Sequence, residues 1–198
     1  MYQRRKRMPV LMIVAALFAV AGCATTPPPT FYQLEEPAST QLSGLERGIA
    51  IGVGPVNLAA YLDRSQIVTR AAAHELNLSE FNVWAEPLTA SISRVIAVNL
   101  SNMLETTMVF LLPRRDTAIP LAYSVTLDIP RFDGRLGGEA LLVARWTLYD
   151  PEDKALVTRV SIISEPSGGG GYESLISAQN RALQRLSQEI ADAVKAAQ

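Results

Sequence analysis

Hydrophobic residues recur along this chain with two different periods. Leu121, Tyr123, Val125, Leu127 and Ile129 alternate with Ala122, Ser124, Thr126 and Asp128, the period of a strand buried on one face. Ala140 to Tyr149 repeats the pattern, with Trp146 and Leu148 on one side and Arg145 and Thr147 on the other. Ala155 to Ile163 returns as a third strand. Arg131-Phe132-Asp133-Gly134 leads into a turn with Gly137 and Gly138, and Asp150 to Lys154 supplies the next turn, so the three strands form an antiparallel meander. The helical period governs two other stretches. Leu88, Ile92, Val95, Ile96, Leu100, Met103 and Leu104 share one face through about Glu105, after Pro87 at a position where a missing N–H is tolerated. The opposite face carries Ser91, Arg94 and Asn102. A second helix follows the Gly168–Gly171 link and runs from about Glu173 to Ala196, with Leu175, Ile176, Ala182, Leu183, Leu186, Ile190 and Val194 inward.

The remaining segments are shorter. Phe31 to Leu34 reads as a first strand and Glu35 to Gly48 as a loop. Ile49, Ile51 and Val53 alternate with Ala50, Gly52 and Gly54, a strand with one very small face that suits close approach of a helix. Pro55 is expected to end that ladder or place it on an edge. Gln66 to Arg70 and His74 to Leu78 suggest strands paired around Ala71 to Ala73, and Met108 to Leu112 suggests a buried strand. These elements predict an α+β fold: a two-layer domain with a mostly antiparallel sheet and two long amphipathic helices packed on it.

The N-terminus has a separate character. Arg4, Arg5, Lys6 and Arg7 precede an apolar stretch from Val10 to Val20, too short to span a bilayer and of the length of a cleaved signal. Val20-Ala21-Gly22-Cys23 places small residues before the only cysteine, and it resembles the lipobox of bacterial lipoproteins. The alternative is an ordinary secretory signal with an incidental cysteine. On the lipobox reading residues 1–22 are a removed signal peptide, residues 23–30 a lipidated Cys23 and Pro-rich tether, and residues 31–198 a single domain. The covalent lipid would be the only attached group, with no cofactor. The three prolines between Thr25 and Thr30 stiffen a spacer reaching at most about 25 Å. The removed piece holds four of the 18 Lys and Arg residues and none of the 19 Asp and Glu, leaving 14 against 19, a net charge of −5. That balance argues against nucleic acid and against an electrostatic grip on anionic lipid headgroups, since both need a basic surface. Membrane attachment falls to the acyl chains.

The catalytic inventory is thin. His74 is the only histidine and has no metal-ligating neighbour at helical spacing. No Gly-x-Ser-x-Gly elbow occurs, and Gly168–Gly171 is followed by Tyr172-Glu173 where a phosphate loop needs Lys-Ser/Thr. The most distinctive segment is instead Tyr61-Leu62-Asp63-Arg64-Ser65-Gln66-Ile67-Val68-Thr69-Arg70, an aromatic and opposed charges on irregular backbone. It suits either a partner-docking lip or a solvated connection. Tyr61, Leu62, Asp63, Arg64, Gln66 and Arg70 are the candidate docking residues; Trp84 is a further one, unless it is packed core.

The same segment resembles the Tyr-Leu-Asp-Arg-Pro-Gln-Ile-Val-Thr-Arg motif of the PqiC (YmbA-like) lipoproteins, auxiliary components of ABC-type and MCE-type intermembrane transport systems. Phe31-Tyr32-Gln33-Leu34, Trp84-Ala85-Glu86-Pro87-Leu88, Arg94-Val95-Ile96 with Asn99-Leu100, Arg131-Phe132-Asp133-Gly134 and Trp146 extend the match over the mature chain, and Ser65 departs from the family's proline. The resemblance implies a non-enzymatic, outer-membrane lipoprotein facing the periplasm, with Ala24 after the cysteine permitting export beyond the inner membrane. It implies an MCE-domain, periplasm-spanning partner, a link to lipid transport and envelope integrity, and a homo-oligomer. Two rival expectations stand beside it: a lipoprotein that carries lipid in its own groove between helix and sheet, with Leu141 and Val143 as surplus apolar surface, and a lipid-anchored hydrolase.

Overall fold

The alternating stretches form the middle of a five-stranded sheet. In a computed structural model, which describes residues 26–37, 48–114 and 118–198, the strands are β1 (Thr30–Tyr32), β2 (Ile51–Leu58), β3 (Gln66–Ala72), β4 (Glu75–Trp84), β5 (Val109–Leu111), β6 (Tyr123–Gly134), β7 (Glu139–Tyr149) and β8 (Ala155–Pro166). The helices are α1 (Leu88–Met103) and α2 (Tyr172–Ala197). The α+β class holds, with the strands divided between two sheets: a large one of order β5-β2-β6-β7-β8 and a small one of order β1-β4-β3. β6, β7 and β8 are the expected antiparallel meander, whereas β2 runs parallel to both β5 and β6.

Both helices lie on one face of the large sheet. Ala140, Leu142, Ala144, Trp146 and Leu148 alternate inward along β7 and meet Leu183, Leu186 and Ile190 of α2, all almost wholly excluded from solvent. Burial on this scale, at about 25 cal/mol per Å² of apolar surface, is the main stabilising term of the layer. Glu173 in the first turn of α2 and Lys195 in the last suit the helix dipole. The helices touch through Asn99, whose Nδ2 donates to Ser187 Oγ at 3.1 Å inside the core. The helix–sheet interface, where a lipid groove was expected, is thus filled by side chains.

Of four local expectations, three need correction. Pro55 does interrupt the regular ladder: pairing with β5 stops at Val53 and the register with β6 shifts between Val53 and Val56, although the strand itself continues to Leu58. The small face of β2 is not covered by a helix but by the segment after β5. A Cβ at Gly52 would meet Leu112 Cδ1 at 2.7 Å and Leu121 Cδ1 at 2.8 Å. β5 is a half-exposed edge strand, with Leu111 open to solvent, because nothing pairs with its far side. Ser91 belongs to the buried face of α1, one turn from Leu88 and Val95.

Candidate functional site

The Tyr61–Arg70 segment links the two sheets. Ala59 N donates to Ile129 O at 3.1 Å, where the chain leaves β2, and Leu62 N to Ala59 O at 2.8 Å closes a turn. Arg64 N to Leu62 O at 2.9 Å tightens it, and Trp84 N to Ser65 O at 2.7 Å ties its far end to β4. Leu62 is driven into the core at 2 % exposure, which pins the centre of the turn. Asp63 and Arg64, just after Leu62, are exposed on this pinned backbone.

Beneath the turn lies a buried carboxylate, Asp133. β6 bulges between Asp128 and Arg131, and both Phe132 and Asp133 are buried beyond it. Asp133 has a fully enclosed side chain and accepts from three residues. Tyr61 Oη donates to Oδ2 at 2.9 Å. Arg70 grips both oxygens, Nε to Oδ1 at 3.2 Å and Nη2 to Oδ2 at 2.7 Å, while its Nη1 reaches Ala73 O at 2.9 Å. Arg131 Nε adds a fourth bond to Oδ1 at 3.1 Å. Burial pushes the Asp133 carboxyl upward, but the bonds from Arg70, Tyr61 and Arg131 outweigh it and hold the group below the usual carboxylate range. The Tyr61 phenol is pushed up to about 12, first by burial and then by its bond to Asp133. Arg70 is raised by its bond to the same carboxylate. This four-residue clasp locks the small sheet to the large one, and a charge so enclosed is tolerable only while its partners remain.

The candidate residues therefore separate into groups. Tyr61 and Arg70 meet on Asp133. Leu62 and Trp84 are core, at 2 % and 6 % exposure, because the turn and the start of α1 close over them; Leu62 offers no contact surface and Trp84 only an edge. Gln66 sits opposite Val83 in the β3–β4 ladder. Asp63 and Arg64 are exposed and line a shallow cleft of about 360 Å³ with the edge of Trp84, Glu86 and Leu88. Beside this cleft Arg94 bonds Glu36 Oε1 at 2.7 Å and both oxygens of Glu86, which hold it charged and lower the Glu86 carboxyl. The clasping role of Asp133 is what sequence reasoning missed; the available signal was an acid three residues after Pro130, which sits inside β6 at its bulge. His74 is exposed in the β3–β4 turn, and among the described residues no three His, Cys, Asp or Glu side chains gather as for a metal ion. No helix among them is long and apolar enough to cross a membrane. Cys23 lies outside the described residues.

Two helices on one face of a mixed five-stranded sheet, with a small sheet clasped to its end, define an α+β domain shared with solved structures. One, a crystal structure described only as that of an uncharacterized protein, superposes with a TM-score of 0.70 at 17 % identity, covering 85 % of this chain and 99 % of the other. A Xanthomonas campestris protein of family DUF330 gives 0.65 at 17 % identity, over 82 % and 92 %. No curated protein matches in sequence. The family model for the ABC-type transport auxiliary lipoprotein component matches residues 32–191, and the chain belongs to that family.

Proposed function

We propose that this protein is a non-catalytic, outer-membrane-anchored subunit of an intermembrane lipid-transport system. In this reading it docks the distal end of a periplasm-spanning MCE-domain protein. Cys23 carries the lipid, and the Pro-rich spacer keeps the domain within about 25 Å of the membrane. The observation that carries the proposal is the rigid display of Asp63 and Arg64. Their turn is pinned by Leu62 in the core and by Tyr61 and Arg70 on Asp133, so a partner meets two charges already ordered. Preorganisation of this kind lowers the entropic cost of association. Several copies assemble in this reading, so that a ring of turns faces the partner.

The test is affinity capture of the tagged full-length chain from detergent-solubilised envelopes. Recovery of an inner-membrane-anchored MCE-domain protein is expected, and Asp63→Ala with Arg64→Ala should lower that recovery at least fivefold. Undiminished recovery by the double variant would sink the docking assignment. Cys23→Ala should move the folded domain to the soluble periplasmic fraction; retention in the outer membrane would refute the anchor.

A further inference from the structure

On the face of the sheet away from the helices, a cleft of about 620 Å³ opens between Arg70, Arg131, Arg135, Glu139, Leu141 and Ser164. Its donors are unequally used. Arg70 is spent on Asp133 and Ala73 O, and Arg131 donates to Asp133 only through Nε. The two terminal nitrogens of Arg131 and the whole guanidinium of Arg135 meet no acceptor among the described residues. Two carboxylates lie nearby, Asp133 enclosed by its own donors and Glu139 accepting from Ser164 Oγ at 2.7 Å; the guanidinium groups of Arg70, Arg131 and Arg135 outnumber them and leave the cleft with one net positive charge. The strand register supplies the other half of the site. Arg131, Val143 and Ile162 form one row across β6, β7 and β8, next to the row of Asp133, Leu141 and Ser164. Ile162 is 71 % exposed and Val160, in the row beyond, 56 %. A two-guanidinium pocket with an aliphatic strip leading from it is amphiphilic in one direction only.

We infer that this cleft binds the phosphate of an anionic phospholipid, held by Arg131 and Arg135, with the start of an acyl chain along Val143 and Ile162. Planar guanidinium forks match phosphate oxygens bidentately, which suits them better than a point charge would. The mature chain's net charge of −5 is no obstacle, because it speaks to the average surface and the cleft is a local exception. Exposed aliphatics on a sheet face are stabilised by cover, and an acyl chain gains with every CH₂ it buries there. The inference deepens the lipid-transport reading by giving this subunit its own lipid contact, and it rests on that reading only for the lipid being cargo.

The test is titration of the full-length chain, in neutral detergent, with dihexanoyl phosphatidylglycerol, dihexanoyl phosphatidylcholine and glycerol 1-phosphate, read by native mass spectrometry. Phosphatidylglycerol is expected to bind about tenfold tighter than the zwitterionic lipid. Arg135→Ala, which breaks no internal bond, should lower that affinity about tenfold at unchanged melting temperature. Ile162→Ser should weaken phosphatidylglycerol and leave glycerol 1-phosphate unaffected. Equal binding of wild type and Arg135→Ala overturns the site. Glycerol 1-phosphate binding as tightly as the lipid, with Ile162→Ser silent, overturns the lipid and leaves a soluble phosphate ester. No binding by any probe, beside successful capture of the MCE-domain partner, overturns this inference and leaves the docking proposal intact.

Discussion

The two sheets are held by different physics. The large sheet and its helices cohere through aliphatic and aromatic packing, with Trp146, Leu148, Leu183, Leu186 and Ile190 all at 0 % exposure. The small sheet also sends Ile67, Val68 and Trp84 into the core, but its seam with β6 is ionic, built on one enclosed carboxylate. Apolar packing is diffuse and tolerates exchange of one hydrocarbon for another. A buried charge with three partner residues is local and fails when one partner is lost. The segment that displays Asp63 and Arg64 depends on the second kind of support.

The comparison can be broken in order of effect. Trp146→Ala should cost the most, about 4 kcal/mol by urea denaturation, since a cavity would open where Nε1 now bonds Ser161 Oγ at 3.0 Å. Asp133→Ala should cost about 3 kcal/mol by stranding Arg70 and Arg131, and hydrogen exchange should rise in β3 and β4 more than in β7. Uniform exchange across both sheets would show that the seam is not local. Tyr61→Phe should cost about 1.5 kcal/mol, the scale of a hydrogen bond to a charged group.

Acidity sharpens the same contrast. The folded Asp133 carboxyl lies below its ordinary value, so its contribution is complete above the unfolded range near pH 4 and is lost as pH falls through the folded value. The Tyr61 phenol is raised to about 12, so its contribution is complete below pH of about 10 and fades as pH climbs toward 12. Urea midpoints should fall below pH 4 in the wild type, and less steeply in Asp133→Asn. Tyr61→Phe should flatten the alkaline limb and also soften the acid one, because the Tyr61 hydroxyl helps hold the Asp133 carboxyl down. The smallest effect belongs to Arg64→Ala, whose stability should change by no more than about 0.5 kcal/mol while partner capture drops. A large loss of stability would mean that Arg64 supports the fold.

The legibility of the sequence follows the same division. α2 and the β6–β7–β8 meander were readable because their burial is one-sided and keeps a strict period. Ser91 was assigned to the wrong face because its hydroxyl counts as polar in any pattern, though it sits beneath α1 with Leu88 and Val95. Pro55 was readable as an interruption of the ladder, but the bulge that lets β2 continue to Leu58 is invisible to alternation. The Tyr61–Arg70 motif was singled out, but its division into clasp, core and rim was not readable. Tyr61 and Arg70 lie more than 60 residues from Asp133 in sequence, and nothing local distinguishes an acid that is clasped from one that is solvated. The Arg135 cleft was hidden for the same reason: it requires the register of three strands.

β1 has a mechanical consequence. Its three residues pair in parallel with Asn82 to Trp84, and Tyr32 O accepts from Ala85 N at 2.7 Å. A chain held at its N-terminus passes any pull from the membrane into this short ladder first. The line of force runs along the strand, so its hydrogen bonds share the load together instead of parting one after another. From β4 the strain passes to β3 and then, through Arg70, to Asp133. With the proposed anchor at Cys23, the clasp lies between the tethered end of the chain and the large sheet.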